Sequence, residues 1–386
     1  MKREPPLAER PAGLYLHFPF CAIRCTYCDF PTVAGQDDRI ATYLRALADE
    51  VQRFQLDLPI AVDSIYLGGG TPSRMTPLQL GRLLSTVSRR FDLRPDCEIT
   101  LEANPESLTP DRLRGYLDAG VNRISIGVQS LCDAVLQRVG RAHRAEDALR
   151  SVREASACEG LRVNVDLICG LPGEPLDRWD ETIAAIGRLG PDHASVYLLE
   201  TDEQTPLARS IRSGRTTCPD DEAVVWAYEQ TATVLADFGL HQYEISSYAR
   251  SGQRSRHNMK YWADDWYGGF GLGAHAYFLG RRRGNRRDLA GYLEDLAAGR
   301  DPVRTRDPWD PQRRLEEALI MGLRVVDGVA IDGLSRRYGV CLREHYADEW
   351  SRAIDRGILE WRDERARLTP YGRLHSNELF RELIRI

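Results

Sequence analysis

The sequence predicts an α/β protein: a partial (β/α)6 barrel of parallel strands, followed by a smaller, mostly helical C-terminal domain. Three observations carry this. Between residues 13 and 200, short β-rich runs alternate with amphipathic stretches of helical period, the rhythm of parallel β/α units. After about residue 205 the patterns turn mostly helical. The 386 residues also exceed the ~250–300 at which a single core stops growing, so more than one folded unit is expected.

The six units follow in order. "LYLHF" at 14–18 precedes the helical "DRIATYLRALADEVQRF" from 38, and "DSIYLGGG" at 63–70 precedes "TPLQLGRLLSTVSRRF" from 76. "EITLEANP" at 98–105 leads to "TPDRLRGYLDAG" from 109, where Thr109 and Gly120 read as N-cap and C-cap. "RISIGVQS" at 123–130 leads to two helical stretches, "RVNVDLICGLP" at 162–172 to "PLDRWDETIAAIGRL", and "HASVYLLE" at 193–200 closes the series. In such barrels the chemistry lies at the strand C-termini. Beyond them come a helix at 221–239, a glycine-rich "YGGFGLGAHAY" at 267–277, and helices from 307 that end in a helix-turn-helix-like appendage. The division expected is a barrel over 1–205, an extension over 206–300 and a helical domain over 301–386.

Composition excludes several classes. Charge is nearly balanced, 52 basic against 57 acidic residues, without a lysine-rich arm, which removes the footprint of a nucleic-acid binder. No stretch approaches the ~18 apolar residues of a membrane span. The N-terminal "MKREPPLAERP" carries charge but no apolar run, so a cytoplasmic address is expected. Six of the nine cysteines, Cys97, Cys132, Cys158, Cys169, Cys218 and Cys341, stand alone and read as inert thiols. The basic "GRRRGNRR" at 280–287 falls on an expected turn, either a solvated loop or a contact for an anionic carboxylate ligand.

The informative cluster is "HFPFCAIRCTYCDFP", with Cys21, Cys25 and Cys28 spaced C-x-x-x-C-x-x-C and Phe30 where a fourth cysteine could stand. Thiolates are soft ligands that suit zinc or iron–sulfur centres. A zinc site would need His17 or a distant residue as its fourth ligand, and no second cysteine knuckle is present. An incomplete site instead leaves a metal position open to an exogenous amine and carboxylate. Gly68, Gly69 and Gly70 in "YLGGGTPS" either bring backbone amides close to a ligand or make a tight turn. Glu102 ends strand three, Gln129 ends strand four with Arg141 after it, and Asp166 lies on strand five. Singly each could be a cap; together, at successive strand ends, they point to one polar ligand site.

These motifs resemble the radical S-adenosylmethionine superfamily. Nearly the whole chain resembles the group of oxygen-independent coproporphyrinogen oxidase and its HemW-type haem chaperone relatives. The resemblance implies that Cys21, Cys25 and Cys28 hold a [4Fe–4S] cluster whose fourth iron is chelated by S-adenosylmethionine, with Tyr15, Gly69 and Glu102 around that cofactor. Residues matching Tyr27, Gly70, Thr71, Gln129, Arg141 and Asp166 hold a second S-adenosylmethionine in the oxidase, which makes them candidate ligands here. In the superfamily a reduced cluster passes one electron into the sulfonium C–S bond. Members that decarboxylate porphyrinogens carry C-x-x-x-C-x-x-C-x-C and a longer N-terminal segment, whereas Phe30 and the 20 residues ahead of Cys21 match the chaperone branch.

"RHNMKYW" at 256–262 resembles the haem-binding H-N-x-x-Y-W motif of that branch. It implies His257 as axial ligand of haem iron, with Tyr261 and Trp262 as flat apolar surface; the bland alternative is a structural histidine. His241 and His275 are weaker rivals for the iron. The expected function is that of a haem chaperone which delivers haem to respiratory-chain or iron-storage apoproteins, with any membrane association made through a partner. The alternatives are a radical enzyme acting on a tetrapyrrole, as decarboxylase or methyltransferase, and a zinc-binding structural protein. Whether the chain turns over a substrate is open at this level.

Overall fold

A computed structural model describes residues 10–55, 61–201, 204–278, 280–308 and 310–385; most of the charged N-terminal segment therefore lies outside the described residues. Six strands, β1 (Ala12–Phe18), β2 (Ala61–Gly69), β3 (Asp92–Ala103), β4 (Arg123–Gln129), β5 (Arg162–Cys169) and β6 (His193–Leu198), pair in parallel in chain order. Helical segments separate them, as a parallel ladder requires. Sequence patterning explains the packing of these helices. Pro77–Arg90 starts on a capping box between Thr76 and Gln79 and buries Leu80, Leu83, Leu84 and Val87 at helical spacing. Pro110–Asp118 starts on Thr109, whose side chain accepts from the Arg112 amide.

The period-2 alternation of strand residues divides the barrel wall into two faces. Leu14, Leu16, Phe18, Ile65, Leu67, Leu101, Ile124, Ile126, Val163, Val165 and Val196 join the main core against the helices. The alternate positions, among them Tyr15, His17, Ser64, Tyr66, Glu98, Glu102, Arg123, Ser125, Asn164, Asp166 and His193, form the inner face. The barrel interior is thus polar. Buried polar groups are costly unless paired, and much of this set is joined in one network of hydrogen bonds and stacked rings.

The span after the barrel differs from its helical expectation. Of two short strands, β7 (His241–Gln242) and β8 (Ser247–Ala249), β8 pairs antiparallel with β6 and β7 antiparallel with β8 at the outer edge, while β9 (Tyr267–Phe270) pairs in parallel with β1. Then β10 (His275–Phe278), β11 (Arg281–Asn285) and β12 (Val303–Arg306) extend that edge to a twelve-stranded sheet. The basic run expected on a turn is largely strand β11. Strands of two to five residues, rich in glycine or arginine, carry little intrinsic β signal; pairing with the barrel edge makes them.

A second core, from Leu315 to Leu383, holds the C-terminal unit. Around its helices lies a small sheet of β13 (Val329–Ala330), β14 (Leu359–Arg362) and β15 (Arg365–Leu368), in the order β13-β15-β14. The β14–β15 hairpin turns on Asp363 and Glu364, both with positive φ (48° and 62°), the backbone of a type I′ turn without its usual asparagine and glycine.

Candidate functional site

The cysteine loop springs from the end of β1. Its root is tied by a two-residue ladder, Phe20–Cys21 against Val33–Ala34, and its middle by the Thr26 amide donating to the Val139 carbonyl at 3.1 Å. Cys21, Cys25 and Cys28 are half-buried free thiols. Burial pushes the Cys21 thiol up to about 11, with the other two thiols adding to the rise, and burial also raises Cys28. Thiolates so crowded need a cationic centre to ionise. Among the described residues no three His, Cys, Asp or Glu side chains are placed to hold one metal ion. His17 is occupied elsewhere, its Nε2 3.0 Å from the Pro31 carbonyl and its Nδ1 3.0 Å from the Tyr15 hydroxyl. With His17 so engaged, the loop offers a metal centre three soft thiolates and no fourth ligand from that ring.

Two groups of rim residues face this loop. In the first, Glu102 accepts from the Tyr66 hydroxyl at 2.8 Å and from the Gly69 amide at 3.1 Å, with Tyr15 stacked on Tyr66 at 6.3 Å. In the second, Arg141 donates to Gly127 O at 2.6 Å and to Asn104 Oδ1 at 2.9 Å, and lies 3.7 Å from Cys25 Sγ. Asn104 also donates to the Thr71 hydroxyl at 3.3 Å. Tyr27 neighbours Arg141 and Cys25, and Gln129 adopts φ 67° beside them. Gly127 makes room for this group, because a Cβ there would meet Gln129 Nε2 at 2.8 Å and Arg141 Nη2 at 3.3 Å. Asp166 sits within the barrel, accepting from Ser125 at 2.6 Å and Asn164 at 2.8 Å.

The glycine triplet does something other than present its amides to a ligand. Gly69 N–H is given to Glu102, and Gly70 N–H donates to Phe18 O at 2.7 Å. A Cβ on Gly69, at φ 116°, would come within 2.4 Å of the His17 ring, and one on Gly70 within 2.7 Å of Pro19. Glycines here let β2 press against the root of the cysteine loop.

The H-N-x-x-Y-W segment forms a short helix, Arg256–Trp262. His257 is 1% exposed, with Nδ1 3.1 Å from Ser64 Oγ and Nε2 2.8 Å from the Tyr261 hydroxyl, and its ring stacks on Tyr66 at 5.3 Å. Burial lowers its pKa to about 3, so the ring is neutral. Both ring nitrogens are engaged inside the barrel wall, so service as an axial ligand would require the Tyr261 hydroxyl to release Nε2. The two aromatics do not make one flat surface. Tyr261 turns edge-on to Tyr267, whereas Trp262 lies under the Arg324 guanidinium at 5.0 Å. His241 on β7 and His275 on β10 lie toward opposite edges of the large sheet and share no site with His257.

Sequence reasoning missed Tyr66, Glu98, Asn104, Ser125 and Asn164. The period-2 count was the available signal, since Glu98 and Glu102 fall on the same face of one strand.

Glu102 supports a direct prediction. Burial raises its carboxyl from the ordinary 4.5 to about 7, helped by Asp166 and opposed by the Tyr66 and Gly69 hydrogen bonds. The folded state thus holds a proton that the unfolded chain releases near 4.5. Stability from this group is complete below pH 4.5 and is lost as pH rises through about 7, a difference of about 3 kcal/mol. In ligand-free protein, Glu102→Gln should therefore gain in Tm over the wild type between pH 5 and pH 8. Parallel Tm–pH curves would contradict this. The same energetics favour a ligand that brings positive charge or donors to this carboxylate.

A three-cysteine loop at the C-terminal end of the first strand of a partial parallel barrel, facing a polar interior, defines a protein of the radical S-adenosylmethionine type. The Radical SAM superfamily model matches residues 15–186, and the HemN C-terminal domain model matches residues 309–375. The chain belongs to the family of the haem chaperone HemW. It is 33% identical over 372 residues to "Heme chaperone HemW" of Bacillus subtilis, covering 95% of this chain and 97% of that one. It is 35% identical over 385 residues to the protein of the same name from Mycobacterium tuberculosis, covering 98% and 96%. It is also 36% identical over 336 residues to "Radical S-adenosyl methionine domain-containing protein 1, mitochondrial" of Bos taurus, covering 85% and 76%. The solved structure of coproporphyrinogen III oxidase from Escherichia coli matches with a TM-score of 0.84 over 97% of this chain and 90% of that one, at 21% identity, a likeness of fold. Membership of the superfamily implies a [4Fe–4S] cluster and S-adenosylmethionine.

Proposed function

We propose that this protein is a haem chaperone built on a radical S-adenosylmethionine scaffold, binding haem and passing it to respiratory-chain or iron-storage apoproteins. The observation that carries this reading is the identity to HemW proteins across almost the full chain, together with Phe30 at the place of a further cysteine. Cys21, Cys25 and Cys28 would hold the cluster, and Tyr15, Gly69 and Glu102 the S-adenosylmethionine beside it. The pair, when bound, supplies a one-electron reductant for a sulfonium. Glu102, backed by Tyr66, would accept from donors of the methionyl or ribosyl group, and the Arg141 guanidinium would stabilise negative charge on Cys25. Tyr27, Gly70, Thr71, Gln129 and Asp166 remain candidates for a second S-adenosylmethionine. Gly70 could take part only through its carbonyl, its amide being engaged.

No helix among the described residues is long and apolar enough to cross a membrane. A cytoplasmic location, with any membrane contact made through an acceptor, belongs to this proposal; nine free thiols are in keeping with a reducing compartment.

Within this reading His257 is a positioning residue. It stacks on Tyr66, the phenol that donates to Glu102, and iron could reach its Nε2 only after Tyr261 lets go. Titration of the purified protein with haem, followed through the Soret band, tests both levels. The wild type should saturate, and His257→Ala should keep its Soret maximum and affinity while losing thermal stability. A variant that folds but no longer shows the band would restore His257 as the iron ligand. A wild type that binds no haem would overturn the chaperone reading.

A further inference from the structure

The cysteine loop borders a cavity of about 410 Å³, lined by Arg24, Cys28, Asp29, Arg209 and Arg287 among others. The size falls in the ~300–1,000 Å³ range of small-molecule sites. Its three arginines come from separate parts of the chain: Arg24 from the loop, Arg209 from helix Pro206–Arg212, and Arg287 from just past β11. Each donates only to backbone carbonyls: Arg24 to Cys28 O at 3.3 Å and Phe30 O at 3.4 Å, Arg209 to Gln204 O at 2.6 Å, and Arg287 to Asp29 O at 3.5 Å. Among the described residues none of the three makes an ion pair with a carboxylate.

The basic run that supplies Arg287 shows how selective this is. Arg282 pairs with Glu317, Arg286 pairs with Asp288 and Asp295, and Arg283 lies over the Phe54 ring at 4.7 Å. Arg287 is left facing the cavity. Three guanidinium groups against the one acid in the lining, Asp29, make an anion-seeking site, and the planar donor fork suits carboxylates in particular. Apolar surface lies beside this charge, since Ile23 and Phe30 on the same loop are each 57% exposed.

We propose that this cavity receives the carboxylates of a dicarboxylic porphyrin, with the apolar ring against Phe30 and Ile23. The proposal rests on the haem reading above and adds where the ligand sits and which groups select it. Phe30 then has a positive role as a contact surface at the place where a further cysteine could stand.

The test compares full-length wild type with Arg209→Gln/Arg287→Gln, which leaves the cysteine loop untouched, using ferric protoporphyrin IX, its dimethyl ester and iron-free protoporphyrin IX as probes. The wild type should bind the free acid at least about a hundredfold more tightly than the ester, the double variant should lose about tenfold per arginine for both free acids, and only the smaller preference due to Arg24 should remain between acid and ester. Arg209→Lys/Arg287→Lys, which keeps the charge, should recover much of the loss. Equal affinity of the wild type for acid and ester, or an unchanged double variant, would overturn the proposal while leaving haem binding intact. Failure of the wild type to bind any of the three probes would instead remove the haem reading itself, and this site with it.

Discussion

Glu98→Ala should destabilise the protein by about 3–5 kcal/mol, the cost of stripping one partner from a buried charged network, and lower the main unfolding transition by about 10 °C. Glu98 is fully buried on the inner face of β3. Its carboxylate accepts from the Arg162 guanidinium at 3.1 Å and from the Arg256 and His257 amides at 3.2 and 3.1 Å. Those amides are first-turn donors of the helix that carries His257, with no partner inside that helix. One side chain thus pins the H-N-x-x-Y-W segment to the barrel and neutralises a guanidinium that is 24% exposed. Glu98→Gln keeps one acceptor oxygen and should lose less. Scanning calorimetry of the three proteins reads this directly, and a transition for Glu98→Ala within about 2 °C of wild type would refute the network's importance.

Cys25→Ser should abolish stable iron binding. After anaerobic reconstitution the wild type should carry about four iron and four sulfide per chain and a brown chromophore, while the variant should hold less than one iron. Serine offers a hard, reluctantly ionised oxygen where a soft thiolate is required. Cys25 is the member of the trio that Arg141 approaches, at 3.7 Å, so its loss also removes one of that guanidinium's partners. Cys341→Ser, a substitution at an exposed thiol of the C-terminal unit, is the control and should keep full iron. Full iron in Cys25→Ser, or stoichiometric zinc in the wild type, would end the cluster assignment.

The barrel was legible because its determinants are local. Leu14, Leu16 and Phe18 alternate with Tyr15 and His17 whatever surrounds them, and the amphipathic period of Pro77–Arg90 needs no partner to be read. The cysteine trio was equally plain, all three lying within eight residues. Rim residues such as Glu102 and Gln129 followed from the rule that chemistry gathers at strand C-termini. The four strands that extend the β1 edge were not legible. "YGGF" and "RRRGN" have weak strand propensity, and they become strands only because β1 offers an unpaired edge.

Sequence alone therefore determined the six-unit barrel, the metal-binding loop, the polar rim and, through the motifs and the identities they produce, the family. Tertiary structure decided what individual polar residues do. Gly69 and Gly70 have their amides engaged within the fold and are glycine because His17 and Pro19 fill the space a Cβ would need. His257 was set into the barrel wall because Ser64 and Tyr66 on β2 and Tyr261 on its own helix converge on its ring. Arg287, one of five arginines in a single run, was set apart from Arg282, Arg283 and Arg286 because those three found acids or a ring and it met a cavity. The physical reason is common to all three. A side chain's type and spacing are written along the chain, but its free valence for a ligand is what remains after distant residues have taken their hydrogen bonds and charges, and only folding brings those residues together.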